Sequence, residues 1–240
     1  MIRVGTAAWS IPRAVADRFG PGGSVLARYA TRFDAVEINT TFYRPHRRGT
    51  FERWADTVPP GFRFAVKLPG AITHEARLRD CDAGLDVFHD QVSGLGNRLG
   101  PILVQLPPSL AFGDPAAPFF AALRARFAGD LVCEPRHPTW FTGEAESLLH
   151  AHRIARVAAD PPPVPAAAHP GGWPGLVYRR LHGAPRIYWS AYPAAELTRI
   201  AAVLAAEARS VPTWCIFDNT AAGFATGDAL SVLDRVRLAP

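Results

Sequence analysis

Residues 102–134 read ILVQLPPSLAFGDPAAPFFAALRARFAGDLVCE, and their order decides the fold class. The apolar run Ile102–Gln105 closes on a polar side chain and is followed by the turn-forming pair Pro107-Pro108. Asp114 then predicts an N-cap, with Pro115 at the first helical position, where a missing N–H costs nothing. Phe119, Phe120, Leu123 and Phe127 recur on one face of that helix. A second apolar run, Leu131–Glu134, again ends in a polar residue. Strand, helix, strand in this order implies parallel strands joined by a right-handed crossover.

The same unit recurs along the chain. Strand-type runs at Ile2–Gly5, Ala35–Asn39, Arg63–Lys67, Ala155–Ala159, Val177–Leu181 and Trp214–Asp218 bring the total to eight. Helical patterns follow most of them. Leu26 and Tyr29 mark the first. Thr50 is expected to cap the second, which Pro59-Pro60-Gly61 stops. Leu85, Phe88, Val92 and Leu95 space the third, and Thr142 is expected to cap the fifth. Leu197, Ile200, Ala201 and Leu204 mark another, and Leu230, Leu233 and Val236 the last. The sixth connection, residues 160–175, reads DPPPVPAAAHPGGWPG. Its prolines remove donors and disfavour helix, so it is read as a long loop or a lid. Eight strand–helix units in 240 residues predict an α/β fold, a (β/α)8 TIM-type barrel whose unit after strand 6 lacks a regular helix. A single TIM-barrel domain over residues 1–240 is expected.

Hydrophobic residues make up 48% and charged residues 20%, an ordinary globular balance that excludes a disordered chain. No apolar run approaches the roughly 20 residues needed to cross a bilayer. The N-terminal MIRVGTAAW lacks the pattern of a secretory signal, so a cytoplasmic protein without membrane contact is expected. Cys81, Cys133 and Cys215 are odd in number and form no Cys-x-x-Cys pair, which argues against a disulfide framework or a cysteine zinc site. The net charge of +5 is compatible with an anionic partner, a small phosphorylated ligand or nucleic acid, and equally with an arginine-rich surface that binds nothing. Nothing in the chain specifies an oligomeric state. Of 26 Lys plus Arg residues, only Lys67 is lysine, which leaves 25 arginines.

Polar side chains fall at one end of every strand: Thr6, Glu37 and Asn39, Lys67, Gln105, Glu134 and Arg136, Asp160, His182, and Asp218 with Asn219. Side chains two apart on a strand point the same way. Glu37 with Asn39, Glu134 with Arg136, and Arg180 with His182 are therefore three same-face pairs. Buried charges are costly unless paired, and the C-terminal end of a parallel barrel is where such groups converge usefully. Either a functional site or a structural ion-pair plug satisfies that pattern. Lys67 is a titratable, compact ammonium in a chain that otherwise uses arginine. It suits an imine-forming nucleophile, a phosphate contact or a partner for Glu37 or Glu134. Trp9, Trp140, Trp173 and Trp189, with Tyr43 and Tyr188, lie in the loops after strands, beside Arg44, His46, Arg47 and Arg48. Aromatic faces next to arginines fit a sugar, base or phosphate-bearing ligand, or loop packing.

Other motifs fail on context. His74-Glu75 opens like a zinc-protease helix, but Leu78 stands at its last ligand position. Gly94-x-Gly96 precedes a strand rather than following one. No Walker A loop or Gly-x-Ser-x-Gly elbow is present. No cofactor is predicted. A divalent metal on Glu37, Glu134, His137, His182 and Asp218 is chemically compatible, though no sequence spacing points to one.

The segments VEINTTFYRPH, FRFAVKLPGAITHE, LGPILVQLPPSL, CEPRHPTWF, RLHG and FDNTAAG resemble, in that order, the motifs of the YecE-like family, domain of unknown function 72. The resemblance runs from Gly5 to about Ala229 and implies a (β/α)8-type barrel. The motifs coincide with Glu37, Asn39, Thr41, Phe42, Tyr43, Lys67, Thr73, His74, Gln105, Pro107, Glu134, Arg136, His137, Trp140, His182, Asp218, Asn219 and Thr220. Three positions depart from the pattern. Ala8 replaces the second glycine of a Gly-Thr-x-Gly-Trp loop, Pro135 replaces an aromatic between Glu134 and Arg136, and the helix after Tyr192 lacks a tryptophan.

The leading reading is an enzyme acting on a small polar or phosphate-bearing ligand at the barrel mouth, with hydrolase- or lyase-type acid–base chemistry. Glu37, Lys67, Glu134, His182 and Asp218 are its catalytic candidates. Glu37 and Glu134 are acid–base groups and His182 a proton shuttle. Asn39, Tyr43, His74, Gln105, Arg136, His137, Trp140, Arg180, Asn219 and Thr220 are its ligand-binding candidates. A metal-dependent nuclease or DNA-repair-like barrel is the second reading, and a non-catalytic binding or scaffold protein the third.

Overall fold

The computed structural model describes residues 1–238; the last two residues of the expected domain lie outside the described residues. Ten strands run β1 (Ile2–Thr6), β2 (Ala35–Ile38), β3 (Arg63–Lys67), β4 (Leu99–Gln105), β5 (Leu131–Glu134), β6 (Ile154–Arg156), β7 (Ala158–Asp160), β8 (Gly171–Gly172), β9 (Val177–Leu181) and β10 (Thr213–Phe217). They alternate with α1 (Val25–Tyr29), α2 (Arg48–Thr57), α3 (Asp82–Val92), α4 (Ala116–Arg126), α5 (Gly143–Ala151), α6 (Ala194–Glu207) and α7 (Phe224–Leu238). The result is an α/β fold with two hydrogen-bonded sheets, ordered β1-β10-β9-β7 and β2-β3-β4-β5-β6-β8. All pairs are parallel except β6 with β8.

The sheets meet at two places. Ala7 bridges Glu37 in parallel, and the Ala8 N–H donates to the Glu37 carbonyl at 2.9 Å. Gly5 permits this approach, since a Cβ there would stand 2.4 Å from the Ala35 carbonyl oxygen. On the other side, β6 and β7 are one stretch of chain interrupted only at Val157, whose N–H still reaches the Cys133 carbonyl at 2.8 Å.

Alternation along the strands sorts the apolar residues into two cores. Val36, Phe64, Val66, Ile102, Val104, Leu131, Cys133, Cys215 and Phe217 pack with the helices. Ala35, Ala65, Leu103, Val132, Ala155, Tyr178, Trp214 and Ile216 form a separate cluster on the opposite face of the sheets. Its small residues are what a space shared by several strands requires, because packing at native density leaves no slack. Two positions further along the same faces stand Glu37, Lys67, Gln105, Glu134, Arg180 and Asp218. The second core is thus topped by charge.

Several local expectations need correction. Thr50 lies inside α2 rather than at its cap, because the helix already begins at Arg48 after Arg47. Pro115, not Asp114, stands at the N-cap of α4, so the proline sits one position earlier than expected and Asp114 makes no cap bond. Leu95 belongs to a 3-10 segment after α3, and β4 begins three residues earlier than its apolar run. Thr142 does cap α5, accepting from the Ala145 N–H at 3.4 Å. The sixth connection has no α-helix, but it is ordered. It forms a 3-10 turn at Pro165–Ala168 and the short β8, which pairs back on β6.

Candidate functional site

Arg180 organises the charged layer. It projects from β9, is fully buried, and reaches three carboxylates on three other segments. Nε and Nη2 grip Glu37 at 3.1 and 2.8 Å, Nη1 donates to Glu134 at 2.6 Å, and Nη2 donates to Asp218 at 2.9 Å. The remaining oxygen valences are filled from the sides. The Tyr178 hydroxyl donates to Glu37 at 2.8 Å and the Gln105 amide to Glu134 at 2.8 Å. His182 spans Glu134 and Asp218, with Nε2 at 2.8 Å and Nδ1 at 3.0 Å. Both ring nitrogens face carboxylate oxygens, and only an imidazolium can donate to both. Asn39 Nδ2 approaches the second Asp218 oxygen at 3.4 Å.

These contacts set the protonation states. Burial pushes the Glu134 carboxyl up, but the Arg180 charge and then His182 outweigh it and hold it well below the usual range. Asp218 is held low for the same reasons. Burial disfavours charged His182, yet the Glu134 charge and the hydrogen bonds to Asp218 and Glu134 raise its proton affinity. Glu134 and Asp218 are therefore held as anions, and all three carboxylates are engaged by donors, a poor state for a general base. A guanidinium occupies the centre that a divalent cation would need. Among the described residues, no three His, Cys, Asp or Glu side chains are grouped to hold a metal.

Lys67 is the exception. At 7% exposure, its ammonium sits over the Phe42 ring, 4.0 Å from the centroid. Among the described residues no carboxylate oxygen lies within 4.0 Å of it. Burial first, and then the Arg180 charge, lower its proton affinity to about 8 despite Glu37, Glu134 and Asp218 nearby. His74 packs edge-on to the same Phe42 ring at 4.8 Å. Burial and then the charges of Lys67 and Arg136 lower its proton affinity in turn. Arg136, 28% exposed, lies 3.5 Å from Glu134 and donates to the Tyr188 hydroxyl at 3.0 Å. The Tyr188 ring stands edge-on to His182 at 5.5 Å. Three carboxylates thus face four basic side chains, Arg180, Lys67, Arg136 and His182.

Glu37, Asn39, Lys67, His74, Gln105, Glu134, Arg136, Arg180, His182 and Asp218 are therefore brought together. Five candidates are not. Trp140 is 1% exposed, donates to the Leu110 carbonyl at 2.9 Å and packs on Phe112 and Phe120, which is a core role. His137 closes a local turn with Thr139 at 2.9 Å. Asn219 turns to the Ser190 carbonyl and Asp228, at 3.0 and 2.7 Å. Thr220 is exposed in the turn before α7. Tyr43 is 82% exposed, edge-on to Phe42. Sequence reading missed Tyr178 as a partner of Glu37, although its spacing of two from Arg180 puts both on one face. Phe42 gave no signal beyond its place in a motif, because a ring platform under a lysine has no spacing of its own. A hollow of about 430 Å³ between Trp9, Trp54, His46 and Arg44 adjoins this layer through Asn39. No described helix is long and apolar enough to cross a membrane.

The motif resemblance has independent support. The family model described as "Protein of unknown function DUF72" matches residues 3–240. The UPF0759 protein YecE of Escherichia coli K12 is 36% identical over 176 residues, 70% of this chain and 62% of that protein. The chain thus spans less than two thirds of that relative's length. The YecE protein of Escherichia coli O157:H7 matches to the same extent. Among solved structures, a DUF72 family protein from Thermotoga maritima MSB8 superposes with a TM-score of 0.81 at 26% identity, covering 99% of both chains. Another from Enterococcus faecalis V583 superposes with a TM-score of 0.83 at 21% identity, covering 100% of this chain and 97% of that one, which bears on the fold alone. Matched by the family model over residues 3–240 and by this relative over most of its length, the chain belongs to the YecE-like DUF72 family.

Proposed function

We propose that this protein is an enzyme that binds a small anionic ligand at the C-terminal ends of its strands, with Lys67 as the reacting, titratable group. The supporting framework is a single-domain (β/α)8 barrel. Its seams are the Ala7–Glu37 bridge and the shared chain of β6 and β7, and its mouth is where barrel enzymes place their chemistry. The observation that carries the reading is the unpaired ammonium of Lys67 beside three carboxylates that all turn to Arg180 and His182. The nitrogen packs on the Phe42 ring, has no carboxylate or hydrogen-bond partner among the described residues, and is not among the fully buried polar atoms that lack one, so a ligand that supplies an anion can reach it. Arg136 and the Tyr188 hydroxyl complete a donor set at the rim.

This reading moves the chemistry away from Glu37 and Glu134, which serve as a charged floor, and it absorbs what is sound in the scaffold reading. The metal-dependent nuclease reading draws less support, because Arg180 engages the carboxylates that a metal would need. The test is thermal unfolding at fixed low salt with inorganic phosphate, phosphorylated sugars and short DNA. A ligand at 100 times its dissociation constant adds about 2.7 kcal/mol, a rise of roughly 5–10 °C. The rise should occur with a phosphate-bearing compound and vanish in Lys67→Met and Arg136→Ala. A shift with DNA alone, or one that survives both substitutions, would sink the proposal.

A further inference from the structure

We propose that Lys67 is an amine nucleophile whose ligand is an aldehyde or ketone, and that the two form an imine against the face of Phe42. The inference rests on the reading of Lys67 as the reacting group and names the class of compound it meets. An ammonium locked to a carboxylate makes a poor nucleophile, because the pair holds the proton on nitrogen. Lys67 escapes that fate although three carboxylates lie nearby, since Arg180 and His182 engage all of them. Its proton affinity of about 8 leaves a usable fraction of free amine at neutral pH. The Phe42 ring walls one side of the nitrogen at 4.0 Å, and the low exposure of the side chain limits access of competing water.

We assign the proton carrier to His74, whose proton affinity responds to the Lys67 charge. His74 shares the Phe42 ring with Lys67. The Thr73 hydroxyl lies 3.3 Å from the Pro69 carbonyl and 2.9 Å from His74 Nδ1; in the tautomer the step requires, Nδ1 donates to that hydroxyl. That tautomer leaves the lone pair on Nε2. In the forward step, His74 Nε2 takes the ammonium proton and Nζ adds to the carbonyl carbon, forming the N–C bond. The C=O π bond breaks onto oxygen, and the nitrogen, now cationic, passes one of its two protons to that oxygen, which gives a neutral carbinolamine and restores the nitrogen lone pair. The nitrogen lone pair then expels the hydroxyl, protonated through His74, as water, and the C=N bond forms. Amine plus carbonyl gives imine plus water, with no oxidant or reductant. Arg136 and Tyr188 would hold an anionic substituent of the same molecule.

The chain's composition makes the test clean, because Lys67 is its only lysine and the N-terminal amine its only competitor. The 240-residue chain is incubated at pH 7 with glyoxylate or glyceraldehyde 3-phosphate and sodium cyanoborohydride, and the reduced adduct is located by peptide mass mapping. The free-amine fraction for a proton affinity of about 8, against that of an ordinary lysine, predicts that native Lys67 reacts on the order of a hundredfold faster than Lys67 of the chain unfolded in guanidinium. His74→Gln should slow the reaction by about tenfold while leaving the phosphate-induced thermal shift in place. Lys67→Arg should give no adduct beyond the N-terminus. Native Lys67 reacting no faster than unfolded Lys67, or adduct confined to Met1, overturns the imine. A phosphate shift that persists in that case leaves the anion site standing. Rapid Lys67 modification without any phosphate shift supports the imine and removes the anion site.

Discussion

Replacing Arg180 by methionine tests the charged layer directly. Methionine keeps most of the side-chain volume and removes the guanidinium, so Glu37, Glu134 and Asp218 lose their shared partner at once. Glu37 is fully buried and would keep only the Tyr178 hydroxyl. Stranding one partner of a buried pair costs about 3–5 kcal/mol. With three carboxylates affected, the loss should reach about 5 kcal/mol at pH 7, out of a typical total of about 5–15 kcal/mol. For a chain of this length that lowers the unfolding midpoint by roughly 10–20 °C.

The pH dependence is the sharper readout. In the native protein Glu134 and Asp218 titrate below their ordinary values of 4.5 and 3.8, so their contribution is complete above those values and fades only as pH falls through the lower folded values. His182 is raised above 6.5, so its contribution is complete below 6.5 and fades as pH rises through its folded value. In the variant, burial without a counter-charge raises the carboxylates instead, and stability returns as the pH falls toward 5. The gap between the two proteins should narrow by about 1.4 kcal/mol per pH unit for each carboxylate that takes up a proton. Urea unfolding at pH 7, 6 and 5 measures it. A penalty under about 1 kcal/mol at pH 7, or a gap that does not change with pH, would refute the idea that Arg180 neutralises this layer.

Three other substitutions probe single features. Ala8 holds φ at 72°, a left-handed conformation that costs an L-residue roughly 1–2 kcal/mol; Ala8→Gly should stabilise by about 1 kcal/mol in urea melts after the entropy of the unfolded glycine is counted, and a net loss would show that the strain is absent. Trp140→Ala should cost about 3–5 kcal/mol without changing phosphate binding, whereas a ligand-contacting tryptophan would show the reverse pattern in paired unfolding and binding measurements. Lys67→Met should raise stability at pH 7 by about 1–3 kcal/mol, because an amine whose folded proton affinity falls to about 8 penalises the fold fully below that pH and less as pH rises toward 10.5; destabilisation at pH 7 would mean that Lys67 has a structural partner after all.

The parts of the fold that the sequence states locally were legible in it. Arg63–Lys67, Leu131–Glu134 and Val177–Leu181 are strands with the bounds their apolar runs suggest, and Thr142 caps α5 as its type implies. Where tertiary structure decides, the reading slipped. Nothing in residues 154–160 marks Val157 as the point where one strand changes neighbours, and Arg47–Arg48 begin a helix without any capping side chain. At the site, the period of two placed Glu37, Glu134 and Arg180 on converging faces. It could not say which charge pairs with which, because pairing depends on how segments 38 to 143 residues apart in sequence meet. In that pairing the carboxylates read as acid–base groups are anchored by Arg180 and His182, and among the described residues no carboxylate oxygen lies within 4.0 Å of the lysine beside them.

The anchoring itself ties the structural and functional readings together. Arg180 lowers the proton affinity of Lys67, and the Asp218 charge raises it. Asp218→Asn keeps the shape of the side chain and its ability to accept from Arg180 and His182, but removes the anion. Lys67 then loses the Asp218 attraction while the Arg180 repulsion stays. The midpoint for reaction of Lys67 with formaldehyde under reducing conditions should fall below about 8, and its rate at pH 7 should rise. A midpoint that stays in place or moves up would mean that Lys67 does not feel this layer. In that case the charged floor would be a structural plug, with no part in tuning the one amine it surrounds.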